Sequence, residues 1–196
     1  MFRSPASLIL NAYIILLVGG CAQETHPILE NLAGKQVNLL ADGKNQASVF
    51  IFMRTDCPIG NRYAPEIIRI FDEFKHQNVG FYLIYPQANE AAEQIRQHRQ
   101  EYRLPIEAYR DPQQNFAAWV EATTMPEVAV MMQDGELIYR GRIDDRYVDF
   151  GQARAAPTSR DLYDVLTQIC AGKAPPQRFT EAVGCYIEPL KRSSTP

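Results

Sequence analysis

Ala47 to Met53 is an apolar run broken only by Ser48, rich in β-branched and aromatic residues and too short for a typical helix. Such a run predicts a strand buried on both faces. Val79 to Tyr85 predicts a second strand, stopped by Pro86. Between them, residues 61–75 place Ile67, Ile70, Phe71 and Phe74 at i, i+3, i+4 and i+7, the stripe of an amphipathic helix. Pro65 lies inside that stretch and is expected to kink it. Asn89 is placed to cap a helix running to about Tyr102, and Leu104 to Tyr109 reads as a short strand. Asp111-Pro112 opens a helix carrying Phe116, Trp119 and Val120, with Trp119 read as core. Glu127 to Met132 and Leu137 to Ile143 form a hairpin around Asp134-Gly135. Ser159 to Ala171 is a last helix, with Leu162, Val165, Leu166 and Ile169 on one face. At the front, Leu29 to Leu39 reads as a short hairpin turning at Ala33-Gly34, and Asp42 to Asn45 as a further turn. The order is βαβ, α, β-hairpin, α. It predicts an α/β domain with a mixed central sheet and helices on both faces.

The first 21 residues have a different character. Arg3 is their only charge, Leu8 to Val18 is nearly all apolar, and Val18-Gly19-Gly20-Cys21 follows. A basic start, a short apolar run and small residues before a cut site read as a secretory signal, and the run is too short to span a bilayer comfortably. Val-Gly-Gly-Cys resembles the bacterial lipobox, in which the cysteine is lipidated and becomes the first residue. The resemblance implies an exported, membrane-anchored lipoprotein facing the periplasm. Ala22 after the cysteine favours the outer membrane. The expected organisation is a signal peptide over 1–20, a lipidated Cys21 with a polar linker over 21–26, a folded domain over 27–173 and a C-terminal tail over 174–196. Charges of both signs are mixed along the chain, with a net charge of −3 and no basic stripe, which argues against nucleic acid as a partner.

Beyond Cys21 stand three cysteines, Cys57, Cys170 and Cys185. Outside the cytoplasm disulfides persist, and an odd number leaves one thiol free or paired between chains. Cys57 falls between the first buried strand and the first long helix. The free N–H groups and dipole of a helix N-terminus favour the reactive thiolate. Arg54 and Arg62 are near enough in sequence to help, and Asp56 opposes them. Pro58 after the cysteine and polar residues before it predict an exposed nucleophile. Cys185 lies in the tail, where it either resolves Cys57, forms a structural disulfide with Cys170, or stays unpaired. His26, His76 and His98 show no ligand spacing and read as surface residues, so no resident metal is expected. The charged run Arg140 to Arg146 reads as a solvated strand end.

Asp56-Cys57-Pro58-Ile59-Gly60 between a buried strand and a helix, Pro65 eight residues past the cysteine, and Thr124-Met125-Pro126-Glu127 before the hairpin resemble the thioredoxin superfamily. Gly34 to Leu39 is similar to the opening hairpin of its redoxin branch, which includes extracytoplasmic thiol oxidoreductases and peroxiredoxin relatives. The resemblance implies a thioredoxin-like fold over roughly residues 27–173. It also implies a cis peptide at Pro126, opposite Cys57, shaping substrate docking. The departures matter equally. Gly60 replaces the second cysteine of Cys-x-x-Cys. Arg54 and Phe50 stand where peroxiredoxins have Thr and Pro. Asn61 stands where the Sco-type copper chaperones have a second cysteine, and soft copper(I) wants thiolates. The leading expectation is a thiol–disulfide oxidoreductase or peroxiredoxin-like antioxidant enzyme acting on a protein disulfide, thiol or peroxide. The alternatives are a copper carrier using Cys57 with Cys185 or a histidine, and a redox-silent docking domain.

Overall fold

A computed structural model describes residues 26–190, except 42, 174, 176 and 177. The expected signal segment and Cys21 lie outside the described residues. The apolar run becomes strand β3 (Ala47–Phe52), buried at every position. Its side chains alternate between two cores. Val49, Ile51 and then Met53 face one, while Phe50 and Phe52 face the other. Each fully buried side chain of this size contributes about 2 kcal/mol by leaving water. The first core is filled by α1 (Pro58–Phe74), α2 (Ala92–Glu101) and α4 (Asp161–Cys170) through Ile67, Ile70, Ile95, Leu162 and Leu166. The second is filled by α3 (Asn115–Trp119), with Phe116 tilted against Phe50 at 4.6 Å between ring centroids.

The sheet has eight strands in the order β11-β8-β7-β3-β4-β5-β1-β2. Here β1 is Leu29–Asn31, β2 Gln36–Val37, β4 Val79–Tyr85, β5 Glu107–Arg110, β7 Glu127–Met132, β8 Leu137–Gly141 and β11 Arg178–Phe179. Strands β3, β4 and β5 are parallel, while β7 runs antiparallel to β3 and β8. Two small sheets stand apart. One pairs β9 (Tyr147–Asp149) with β10 (Gln152–Ala153). The other pairs β6 (Thr124–Met125) with β12 (Cys185–Tyr186). This is the mixed sheet with helices on both faces that the pattern predicts. No helix among the described residues is long and apolar enough to cross a membrane.

Several local expectations need correction. Helix α2 is capped at Ala91, whose N–H donates to the Gln94 side chain at 2.7 Å, and not at Asn89. Strand β5 starts at Glu107, although Leu104 and Ile106 before it are still core. Helix α3 begins only at Asn115, yet Asp111 still serves it. Its buried carboxylate accepts the Ala117 N–H at 2.8 Å, across the turn made by Pro112. Trp119 is not core, because the short helix turns it outward to lie half-exposed against His26. The run from Arg140 to Arg146 is not a solvated end. Ile143, Asp144 and Asp145 are buried, and Arg142 pairs with fully buried Asp161 at 2.8 Å.

The tail is part of the fold. Arg178–Phe179 adds to β8 in parallel, Arg178 joins Arg142 on Asp161, and the Thr180 hydroxyl lies 2.6 Å from that of Tyr139. Gly141 admits this packing. Its φ is +146°, and a Cβ there would collide with Thr180.

Candidate active site

Strand β3 ends at Phe52, and Met53 still donates its N–H to Ile84 of β4 at 2.8 Å. The chain then leaves the sheet at Arg54 and turns into α1 with Cys57 as the N-cap residue and Pro58 at the first position. Proline suits that place, since its missing N–H would have had no helical partner. The Cys57 carbonyl accepts the first helical bond from Asn61 at 2.9 Å. Helix α1 continues through Pro65 to Phe74.

The loop is held from behind by a chain of hydrogen bonds. Asn61 Nδ2 donates to the Thr55 carbonyl at 3.2 Å, and the Thr55 N–H donates to Glu90 Oε1 at 2.6 Å. Asn61 Oδ1 therefore faces His98 Nε2, at 2.8 Å, and only a protonated Nε2 can donate to it. That leaves His98 Nδ1 to accept from the Tyr85 hydroxyl at 2.8 Å. His98 is buried, not a surface residue, because this chain satisfies both of its nitrogens. Burial lowers its pKa to about 4 and holds it neutral. Burial also pushes the Glu90 carboxyl up, and its second oxygen has no partner.

Opposite the loop, the Met125-Pro126 peptide is cis, as the resemblance implies. The buried Glu127 carboxylate fixes this turn by accepting the N–H groups of Thr123 and Thr124 at 2.8 and 3.0 Å. The Cys57 thiol donates to the Met125 carbonyl at 3.1 Å. Cys57 is not exposed, however. Its relative accessibility is 0 %, because the returning tail lies over it.

Strand β12 pairs antiparallel with β6, Cys185 opposite Met125 and Tyr186 opposite Thr124. This register sets Cys185, half-buried, against Cys57. Burial, and then the hydrogen bond and charge of Cys57, push the Cys185 thiol up to about 12. All three described cysteines are free thiols. Cys170 sits at the end of α4, where burial alone raises its pKa. Gly60 faces Cys57, and a Cβ there would meet Cys57 and Met53 at an ordinary 3.6 Å. Packing therefore does not forbid a second motif cysteine at that position. Arg54 is taken up by two carboxylates. It pairs with Asp56 at 2.5 Å and with Glu188 of the tail at 2.8 Å. Arg62 lies one turn further along, lining a shallow cleft of about 240 Å³ with Tyr63, Glu66, Arg69 and Arg146. The structure thus brings together Cys57, Pro58, Asn61, Pro126 and Cys185, and leaves Arg62 at the margin. Sequence reasoning missed His98, Glu90 and Glu127. None carries a motif, and only the fold reveals their partners.

No curated protein matches the chain in sequence. Residues 22–140 match the AhpC/TSA family profile. Among solved structures, an uncharacterised conserved protein of Geobacillus kaustophilus is similar at 22% identity and a TM-score of 0.73, covering 85% of this chain and 91% of that one. A hypothetical protein of Sinorhizobium meliloti 1021 gives 18% and 0.73, over 86% and 93%. A secreted disulfide oxidoreductase of Mycobacterium tuberculosis, homologous to E. coli DsbE, gives 17% and 0.51, over 75% and 96%. These likenesses establish a thioredoxin-like fold.

Proposed function

Because the chain belongs to the AhpC/TSA family, we propose that it is a thiol–disulfide oxidoreductase whose working pair is Cys57 and Cys185. The observation that carries this reading is the β6–β12 register, which sets Cys185 against Cys57 although 127 residues lie between them in the sequence. The Cys57 thiolate attacks a sulfur of a partner disulfide, forming a mixed disulfide and releasing the partner's other sulfur as a thiolate. That thiolate takes the proton from Cys185. Cys185 then attacks Cys57 Sγ, closes the Cys57–Cys185 disulfide and frees the partner's second thiol. The partner is reduced by two electrons and the pair is oxidised by two. A reduced dithiol regenerates the pair by the reverse sequence and is itself oxidised to a disulfide.

Peroxide fits this site less well. A peroxide oxygen needs hydrogen-bond donors beside the sulfur, and Cys57 Sγ instead faces the Met125 carbonyl, an acceptor. Copper(I) fits less well too. His98 spends both ring nitrogens on Tyr85 and Asn61, which leaves two thiols as the soft donors. The Val-Gly-Gly-Cys21 segment supports an exported, lipid-anchored chain working at the periplasmic face of a membrane, where disulfide partners are found.

Differential thiol trapping with peptide mass spectrometry tests the pairing. Mild oxidation is expected to join Cys57 to Cys185 and leave Cys170 free, and Cys57→Ser is expected to abolish disulfide reduction with the fold intact. A Cys170–Cys185 product, or full activity in Cys57→Ser, would refute the proposal.

A further inference from the structure

The two faces of the sheet are covered unequally. Helices α1, α2 and α4 fill the core on one side, whereas among the described residues the other carries α3, a helix of five residues. Arg140 of β8 stands opposite Ala129 of β7 and Phe179 of β11. Neighbours in register share a face, and Ala129 belongs to the α3 core, so Arg140 and Phe179 lie on that thinly covered side. Trp119, the only tryptophan of the chain, ends α3 there. Its ring packs on Phe116 at 5.7 Å and against His26 at 5.3 Å between centroids, which fixes it as a rigid ledge. Two residues on, Glu121 accepts a hydrogen bond from Arg140 through its carbonyl and pairs with it at 3.3 Å, and the Arg140 guanidinium lies 5.2 Å from the centre of the Phe179 ring. Ile28, Trp119 and Phe179 are 54%, 38% and 52% exposed. They form an apolar band with a polar rim, the mark of a contact surface.

The chain has no apolar segment of its own left to cover this band once residues 1–20 are removed. Residues 22–25 read Ala-Gln-Glu-Thr, and residues 191–196 read Lys-Arg-Ser-Ser-Thr-Pro. The place where the tether enters points to another occupant. The five residue steps from Cys21 to His26 reach at most about 18 Å. That is less than the roughly 30 Å diameter of a small domain. A lipid on Cys21 therefore holds the surface around His26 beside the bilayer and keeps the far side of the domain away from it. His26 is the residue that touches Trp119.

We infer that Ile28, Trp119 and Phe179 form a membrane-contact face, resting on the lipid surface to which Cys21 is anchored. The inference rests on the lipid anchor proposed above and names the side of the domain that meets the bilayer. Tryptophan favours the headgroup level, where its ring meets acyl chains and its N–H stays among polar groups. The band is too small to hold a free protein on a membrane. Anchoring makes its contact intramolecular, so a weak affinity of the face for lipid is enough to keep it seated. The tether and the band thus act together, the one fixing distance and the other fixing orientation.

The test uses the full chain, expressed in a Gram-negative bacterium and reconstituted into phosphatidylcholine vesicles, with Trp119 as the sole tryptophan signal. An interfacial ring sits about 5–10 Å into the headgroup and acyl boundary, so lipids brominated near the headgroup are expected to quench Trp119 by about 2-fold or more relative to plain lipid. Ile28→Asp and Phe179→Asp are each expected to remove about half of that quenching or more. Phe150→Asp is the control. Phe150 is an exposed apolar residue on the β9–β10 hairpin, whose Tyr147 packs on Tyr63 of α1, and its loss is expected to leave the quenching unchanged. If Phe179→Asp lowers the melting temperature, Ile28→Asp, outside the strands, decides. Equal losses in Phe150→Asp and Ile28→Asp overturn the assignment of the face. Absent quenching in a chain whose Cys21 carries lipid by mass spectrometry overturns the face and leaves the anchor standing, whereas a mature chain without lipid on Cys21 overturns both. A blue shift that grows with protein concentration, without quenching by bromine, gives the face to a second copy of the chain and overturns the proposal.

Discussion

Lowering the pH from about 7.5 to about 5 charges His98 in the unfolded chain and leaves it neutral in the folded one. Its folded pKa is about 4, lowered by burial, against an ordinary value of about 6.5. Unfolding therefore takes up a proton between these values, and the sign follows. The stability that neutral His98 permits is fully present above about pH 6.5 and is lost as pH falls through about 4. The two values give a loss of about 2 kcal/mol at pH 5 and about 3 kcal/mol at pH 4. The assay is urea unfolding across that range, for the wild type and for His98→Gln. Gln retains one acceptor for Tyr85 and one donor for Asn61 but does not titrate. Carboxylates raised by burial, such as Glu90 and Asp144, move stability the opposite way in both proteins and cancel in the difference. The variant is expected to be less stable than the wild type at neutral pH, with the gap closing by about 2 kcal/mol at pH 5. Parallel pH profiles, or a ring-proton titration of His98 near its ordinary value, would refute the reasoning and with it the assigned Nε2–H tautomer.

Two further perturbations separate the supports of the site. Asp161→Asn removes the buried charge shared by Arg142 and Arg178 and is expected to cost about 1–3 kcal/mol, below the range for a fully buried pair because both arginines reach solvent. The same urea assay reads it, and a loss no larger than that of the exposed Asp72→Asn would contradict the assignment. Glu127→Ala leaves the Thr123 and Thr124 N–H groups without their acceptor and is expected to cost about 2–4 kcal/mol. An unchanged melting temperature would show that these donors find another partner.

What was legible in the sequence was whatever repeats along it. The runs at Ala47–Phe52 and Val79–Tyr85, the helical stripe through Ile67 and Phe74, and the Asp134-Gly135 turn each carry a local period or a turn residue, and each became the expected element. Cys57 was legible as the residue at the start of the first long helix for the same reason. Its burial was not. That depends on β12, a strand of two residues with no period, which lies more than a hundred residues past Cys57 and is held by pairing with β6. His98, Asp144 and Asp161 look like surface residues in sequence, being polar and amid other polar residues. Each is buried because specific partners satisfy it there: Tyr85 and Asn61 for His98, Tyr63 and the Arg146 N–H for Asp144, Arg142 and Arg178 for Asp161. Helix α3 starts later than Asp111-Pro112 suggests, although the Asp111 carboxylate still accepts the Ala117 N–H.

The placement of β11 links chemistry to solubility. Without it, β8 would be the margin of the sheet, a row of unpaired backbone groups able to recruit a strand from another molecule. At the opposite margin β2 spans only two residues, too short to template much. Arg178–Phe179 closes the vulnerable side, with Arg140 stacked over the Phe179 ring at 5.2 Å. The same stretch of chain leads on to the strand over Cys57. Proteolysis just before residue 178 would bare an adhesive sheet edge and an oxidisable thiol in a single cut, so that strand pairing between molecules and disulfide cross-linking between them would begin together.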